Sequence, residues 1–372
     1  MNTVSKNKDY FRPVIAAMDG YEPGEWPALE SGVLKLNSNE NPYLPSPKVL
    51  AALQEMGASE LSAERLRRYP NPRGKTFCEA IGQTFDVPAD WVIAGNGSDD
   101  LLTLLVRACA GEGVDSGMRS LAYPTPTYVL YRTLAAMQPA QIQEIPYQQK
   151  GTDWILPVED LLKADAAVTL IASPNSPSGH VVPQADLIRL AKDLSGVLVI
   201  DEAYIDFVGI DADKASLALV REFENVIVLR TLSKGYSLAG LRLGFGIAQP
   251  TLLKGLLKVK DSYNVDAIAL KLGEAAIGDR LYKNACAQKI IAAREQLTTD
   301  LQHLAFKVWP SQTNFLLVQP PGEIAQQIYL GLKERGIMIR YFAQPGLDDK
   351  LRITVGTPGQ NARMVSEISR LL

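Results

Sequence analysis

The chain of 372 residues is poor in the side chains from which metal centres are built. Its two histidines (His180 and His303) and three cysteines (Cys78, Cys109 and Cys286) are widely scattered. No CxxC or HExxH spacing occurs, so no metal site is expected. Three unclustered thiols fit a reducing compartment and read as buried apolar groups. An excess of one charge is also missing. A net charge of -3 and a pI near 5.6 leave no electrostatic footprint for nucleic acid or an anionic membrane. No uninterrupted apolar run reaches the ~20 residues that span a bilayer, and the opening MNTVSKNKDYFRP lacks the apolar core of a signal peptide. These absences lead to the expectation of a cytoplasmic protein without metal, nucleic-acid or membrane partners. What remains is ordinary globular material, 47% apolar and 21% charged, which excludes wholesale disorder and supports a large core.

The order of the segments carries the fold. The first forty or so residues are rich in Pro, Gly and Asn (GYEPGEWP, LNSNENPYLPSP) and are expected to form an extended arm without regular helix. PKVLAALQEM follows with helical periodicity. From Trp91 onward the short apolar runs WVIAG, SLAYP, AQIQEIP, AVTLIASP, GVLVIDEAY, NVIVLRT and LGFGIA alternate with the helical segments DDLLTLLVRAC, PTYVLYRTLAAM and PQADLIRLAKDLS. VLVI and VIVL show no polar alternation, so both faces of those strands should be buried. That pattern predicts an α/β fold whose large domain is a mostly parallel sheet sandwiched by helices. Beyond about residue 250, one long helical stretch from Ala267 to Leu304 precedes the short strands FKVWP, NFLLVQ, GIMIRYF and KLRITVG, the helix EIAQQIYLGLKERG and a terminal helix. The expected organisation is an arm over 1–40 that packs with the small domain or a dimer partner, a large domain over 41–265, and a smaller C-terminal α/β domain over 266–372.

One stretch concentrates chemistry: RTLSKGYSLAGLRLGF, from Arg230 to Phe245, directly after the buried strand NVIVL. A lysine past a strand is by default a solvated cation. Lys234, however, stands among Thr231, Ser233 and Arg242. Hydroxyls donate to phosphate oxygens, and a guanidinium takes a phosphate bidentately. A nucleophilic amine beside an anion pocket suggests an imine with a phosphorylated aldehyde. The segment resembles the lysine motif of fold-type I pyridoxal-phosphate aminotransferases, most closely the histidinol-phosphate aminotransferases, and the resemblance spans nearly the whole chain.

The resemblance implies roles for residues elsewhere. Asp201, closing the strand GVLVIDEAY, matches the aspartate that keeps the pyridinium nitrogen protonated, a task that requires an acid; a helix N-cap is the alternative reading. Tyr204 matches the tyrosine that hydrogen-bonds the ring hydroxyl oxygen, whereas Glu202 reads as structural. GNGSDD, with its strand, glycine turn and helix start, is an anion site on physical grounds. By resemblance Gly97, Ser98 and Asp99 cradle the cofactor phosphate; Ser98 or Asp99 as N-cap is compatible with that. Tyr128 matches the aromatic residue stacked on the ring, or is a core tyrosine. Tyr69 matches a tyrosine that reaches the phosphate across a dimer interface. The related loop S-P-N-N-P-T-G is here Ser173-Pro-Asn-Ser-Pro-Ser-Gly179, so contact with the ring hydroxyl falls to Ser176 or to a shifted Asn175.

Arg340 and Arg352, each on an expected strand, are costly unless paired with an anion, either a substrate group or a protein carboxylate. The residue matching Arg352 binds the substrate α-carboxylate in related transaminases. Two arginines with an arm tyrosine, matched by Tyr21, would suit a phosphate dianion and still accept glutamate's carboxylates. Asn39 falls in the arm segment that lines the substrate site. The resemblance thus implies a pyridoxal 5'-phosphate-dependent transaminase of histidine biosynthesis, homodimeric with shared active sites. It would convert histidinol phosphate and 2-oxoglutarate to imidazole acetol phosphate and glutamate. An aromatic-amino-acid aminotransferase, a threonine-phosphate decarboxylase and a non-catalytic cofactor-binding module are the competing readings.

Overall fold

Seven strands form the larger sheet: β1 (Val92–Gly95), β2 (Leu121–Thr125), β3 (Ile142–Pro146), β4 (Val168–Ala172), β5 (Val197–Asp201), β6 (Val226–Thr231) and β7 (Gly244–Ala248). The computed structural model describes residues 10–18, 27–28, 31–58, 60–112, 118–138 and 140–372. The spatial order is β1-β7-β6-β5-β4-β2-β3. All pairs from β6 to β3 are parallel, and only β7 runs against its neighbours. The lack of polar alternation has the expected cause. Along β6, Val226 and Val228 enter one apolar cluster, and Ile227 and Leu229 enter a second cluster on the opposite face. Because β1, β2, β4, β5 and β6 run the same way, their carboxyl ends share one edge, and β7 begins there.

A second sheet is antiparallel, with β8 (Lys307–Val308), β9 (Phe315–Gln319), β10 (Arg340–Tyr341) and β11 (Leu351–Thr354) in the order β8-β9-β11-β10. The long helical stretch is not continuous. It divides at Gly278 and Asp279 into α2 (Ala267–Ile277) and α3 (Arg280–His303), α1 being the earlier helix Ser98–Cys109. The division separates two cores. Leu270, Leu272 and Ile277 of α2 pack with the large sheet, whereas Ile290, Leu297 and Leu301 of α3 pack with the small one.

GIMIRYF also departs from one strand. Ile337–Met338 pairs in parallel with Leu34–Lys35 of the arm, and Arg340–Tyr341 turns to join β11. Leu34 and Leu36 thereby enter the small core. The arm does contain a helical turn, Pro13–Ala16, since proline at the first helical position sacrifices no hydrogen bond. A hairpin of Gln148–Lys150 with Asp153–Ile155 was not expected. Among the described residues, no helix is long and apolar enough to cross a membrane, and no group of three or more His, Cys, Asp or Glu could hold a metal.

Candidate active site

Where β1 and β6 end and β7 begins, glycines let three backbone segments meet. Gly244 lies opposite Gly95 on one side and Thr231 on the other. A Cβ at Gly244 would stand 2.6 Å from the Ser98 nitrogen, 2.7 Å from the Gly97 carbonyl carbon and 2.8 Å from the Arg230 oxygen. Gly97 has φ 82° and caps α1 without a side-chain hydrogen bond, so neither Ser98 nor Asp99 is the N-cap. The first amides of α1 therefore keep their donors for a ligand, at the positive end of the helix. Around them Thr231 Oγ1 donates to Ser233 Oγ at 2.9 Å and Arg242 Nη1 donates to the same oxygen at 3.1 Å. Arg242 Nη2 pairs with Asp99 Oδ2 at 3.2 Å, and the Tyr128 hydroxyl donates to Asp99 Oδ1 at 3.3 Å. Two hydroxyls, a guanidinium and a helix start make a cup for a phosphate-sized anion.

Lys234 follows the same strand end and turns inward. Its Nζ donates to the Ser38 carbonyl at 3.0 Å and stands 5.9 Å from the centre of the Tyr204 ring. Asn41 Nδ2 donates to the carbonyls of Lys234 and Gly235, so residues 38–41 grip the lysine at both ends. The ammonium pKa is lowered from 10.5 to about 8, first by burial and next by the positive charge of Arg352, with Glu40 and Asp99 opposing the shift.

Asp201, 4% exposed, ends β5. The Tyr131 hydroxyl donates to its Oδ2 at 2.8 Å, and the Ala203 amide donates to Oδ1 at 3.2 Å. The N-cap reading thus survives only as that local amide bond. Burial raises the carboxyl pKa to about 6, against the hydrogen bond from Tyr131, which lowers it. The next residue, Glu202, forms a buried ion pair with Arg230 at 2.7 Å, joining the ends of β5 and β6.

The arm and the small sheet complete the wall. Asn39 is 2% exposed and donates from Nδ2 to the Tyr204 hydroxyl at 2.9 Å, so it braces a site residue rather than lining open space. Burial raises the pKa of Tyr204, with the Arg352 charge opposing. Ser176 is hydrogen-bonded to Tyr204, and its Oγ accepts from Arg352 Nη1 at 3.0 Å. Asn175, in contrast, is fully buried and commits its amide to Pro126, Thr127 and Ser178. Of the two candidates in this loop, Ser176 faces the site. Arg352 Nη2 donates to the Asn37 carbonyl at 3.0 Å, and its guanidinium lies 5.3 Å from the Phe315 ring centre and 5.7 Å from that of Phe342. Arg340 is opposite Arg352 in the register and stands 5.6 Å over Phe342.

Tyr69, expected to reach a partner's phosphate, stands away from this subunit's cup: it is 79% exposed and stacks on Tyr263 at 4.4 Å. Tyr21 lies outside the described residues. The sequence reading missed Tyr131, Ser38 and Asn41. Tyr131 stands three residues after Tyr128, a helical spacing that looks like core.

The profile of the aminotransferase class I and II family matches residues 31–368. The chain is 58% identical over 364 residues to histidinol-phosphate aminotransferase 1 of Trichormus variabilis, covering 98% of this chain and 99% of that relative. It is 40% identical over 360 residues to the histidinol-phosphate aminotransferase of Citrifermentans bemidjiense, covering 97% and 98%. Among solved structures, the histidinol-phosphate aminotransferase of Sinorhizobium meliloti in complex with pyridoxal-5'-phosphate aligns with TM-score 0.85 at 24% identity, over 98% of this chain and 97% of that one. At that identity the likeness speaks for the fold.

Proposed function

This chain belongs to the aminotransferase class I and II family, and on that premise we propose that it moves an amino group between L-histidinol phosphate and 2-oxoglutarate, in histidine biosynthesis. The observation that carries the reading is a half-buried amine, Lys234, held at one sheet edge next to an anion cup, with the buried carboxylate of Asp201 ending the neighbouring strand. The names of the relatives at 58% and 40% identity over nearly the whole chain support the substrate.

The residues present fit pyridoxal 5'-phosphate. Thr231, Ser233, Arg242 and the amides of Ser98 and Asp99 would hold its phosphate, Asp201 would face its ring nitrogen, and Tyr128 and Tyr204 would border the ring. When bound, that cofactor supplies a ring that delocalises the negative charge left at the donor carbon. The chain's own groups do the rest. Asp201, ionised above about pH 6, holds a proton on the ring nitrogen. Lys234 Nζ, a free base above about pH 8, takes the proton from the donor's Cα. Arg352, steadied by Ser176 and Asn37, takes the substrate anion, phosphate in one half-reaction and carboxylate in the other. Arg340, beside it in the register, adds a second positive charge. Tyr69, exposed on this subunit, would serve the partner's site in a cytoplasmic homodimer.

A half-reaction screen tests the proposal. The yellow holoenzyme is mixed with histidinol phosphate, tyrosine, phenylalanine or glutamate, and loss of the cofactor absorbance is followed. Histidinol phosphate should bleach it fastest at low concentration. Bleaching by phenylalanine but not by histidinol phosphate would transfer the assignment to aromatic amino acids. Release of carbon dioxide without need of 2-oxoglutarate would make it a decarboxylase. Lys234→Ala should end turnover, and full activity in that variant would end the proposal.

A further inference from the structure

Within the loop that carries Ser176 runs a hydrogen-bonded chain from Asn175 through Ser178 to His180. Asn175 Nδ2 donates to the Pro126 carbonyl at 3.1 Å, and Asn175 Oδ1 accepts from Thr127 Oγ1 at 2.7 Å. A carbonyl can only accept, so the amide has one orientation, and the same Nδ2 is the donor to Ser178 Oγ at 2.7 Å. The Ser178 hydroxyl owns one proton, and its other contact is His180 Nδ1 at 2.7 Å. Given to His180, that proton makes Nδ1 the acceptor and leaves the ring's own proton on Nε2.

The surroundings keep the ring neutral. The His180 ring meets Tyr147 edge-on at 4.8 Å and lies 6.4 Å from Trp154, and its Nε2 is buried. Burial brings the imidazole pKa down to about 4, so it stays uncharged at neutral pH. Backbone bonds close the loop on the same residue. The Asn175 amide donates to the His180 carbonyl at 2.8 Å, and the Gly179 amide donates to the Asn175 carbonyl at 2.8 Å. The Gln312 amide donates to the Gly179 carbonyl at 2.8 Å, tying the loop to the segment that leads into β9.

Ser176 sits in the middle of this knot and is the residue that receives Arg352 Nη1 at 3.0 Å. We propose that His180 is a positioning residue: through Ser178 and Asn175 it holds Ser176 where the Ser176 hydroxyl aims the Arg352 guanidinium at the phosphate or carboxylate of the substrate. The inference rests on Arg352 being the substrate-anion group of the proposed function.

Two replacements at one position separate this role from simple packing. His180→Leu fills the space without an acceptor, and His180→Asn returns an acceptor oxygen near the place of Nδ1. In the holoenzyme, His180→Leu should raise KM for histidinol phosphate and for 2-oxoglutarate about tenfold, the scale of one hydrogen bond. Its kcat should stay within about twofold, and cofactor affinity, read from an absorbance titration, should not change. His180→Asn should recover most of the KM. Ser178→Ala removes the same link without touching the aromatic cluster; it should reproduce the KM rise and add nothing when combined with His180→Leu. Wild-type KM values in both His180→Leu and Ser178→Ala would overturn the proposal. So would equal impairment of the Leu and Asn variants, or a loss confined to melting temperature. Arg352→Met keeps the two claims apart. If it leaves both KM values unchanged, the anion-site reading fails; if it raises them while the His180 and Ser178 variants do not, only the positioning role fails.

Discussion

Gly244→Ala tests the cup at its foundation. The added methyl would stand 2.6 Å from the Ser98 nitrogen, 2.7 Å from the Gly97 carbonyl carbon and 2.8 Å from the Arg230 oxygen, all backbone atoms with no side chain to rotate away. Restoring an ordinary contact of at least 3.4 Å requires the start of α1 to retreat by 0.8 Å. Overpacking of this kind costs about 1–3 kcal/mol. At ~2.1 cal/mol/K per residue, the unfolding entropy of 372 residues approaches 0.8 kcal/mol/K, so the melting temperature should fall by only about 1–4 °C. Cofactor binding should suffer more. A shift of that size forfeits a hydrogen bond from the Ser98 amide to a charged phosphate, worth ~1.5–3 kcal/mol, which weakens affinity roughly 10- to 150-fold. Titration of the apoenzyme with pyridoxal phosphate, followed by absorbance, reads the effect. Gly246→Ala, two residues along β7, is the control. The atoms nearest to its methyl would be in the side chains of Ile93, Ile227 and Leu229, at 3.1–3.2 Å. It should lower the melting temperature while leaving cofactor affinity intact. A Gly244→Ala protein that binds the cofactor within about twofold of wild type would refute the geometry of the cup.

Other perturbations address the charged groups. In the apoenzyme Lys234 should react with an acylating reagent as a free amine with a midpoint near pH 8 rather than 10.5, followed by peptide mass spectrometry; a midpoint above 10 contradicts its burial. The Asp201 pKa is raised from 3.8 to about 6, so its protonated form is favoured on folding; that stability is complete below about pH 3.8 and is lost as pH rises through 6. Asp201→Asn should accordingly melt near wild type at pH 4 and a few degrees higher at pH 7.5 in the apo form. A gap of the same size at both pH values argues against the shift. Glu202→Ala leaves Arg230 buried beside Phe85 and should cost about 3–5 kcal/mol, whereas Glu202→Leu with Arg230→Met should regain most of it in a denaturant titration. A double variant no better than the single one would point to a requirement for charge at that place.

What could be read from the sequence was local in its cause. Strands buried on both faces announce themselves as uninterrupted apolar runs, and β5 and β6 lie where VLVI and VIVL stand. The lysine motif was legible because Thr231, Ser233, Lys234 and Arg242 fall within one short stretch, so their chemistry needs no knowledge of the fold. The helical stretch after Ala267 misled because periodicity continues through Gly278 and Asp279 while the core it serves changes from one sheet to the other. GIMIRYF misled similarly, its two halves pairing with different partners.

The partners of the site lay beyond the reach of any local pattern. Tyr131 finds Asp201 70 residues away, Asn39 finds Tyr204 at a separation of 165, Arg352 finds Ser176 at 176 and Lys234 finds Ser38 at 196. Residue type and spacing determined which groups could bind phosphate, form an imine or hold a ring proton. Only the parallel sheet, by bringing the ends of strands from distant parts of the chain to one edge, and the arm, by pairing beside the small sheet, decided which of them meet. Side-chain chemistry is written residue by residue, whereas proximity follows from strand order and register, which packing of the whole chain selects.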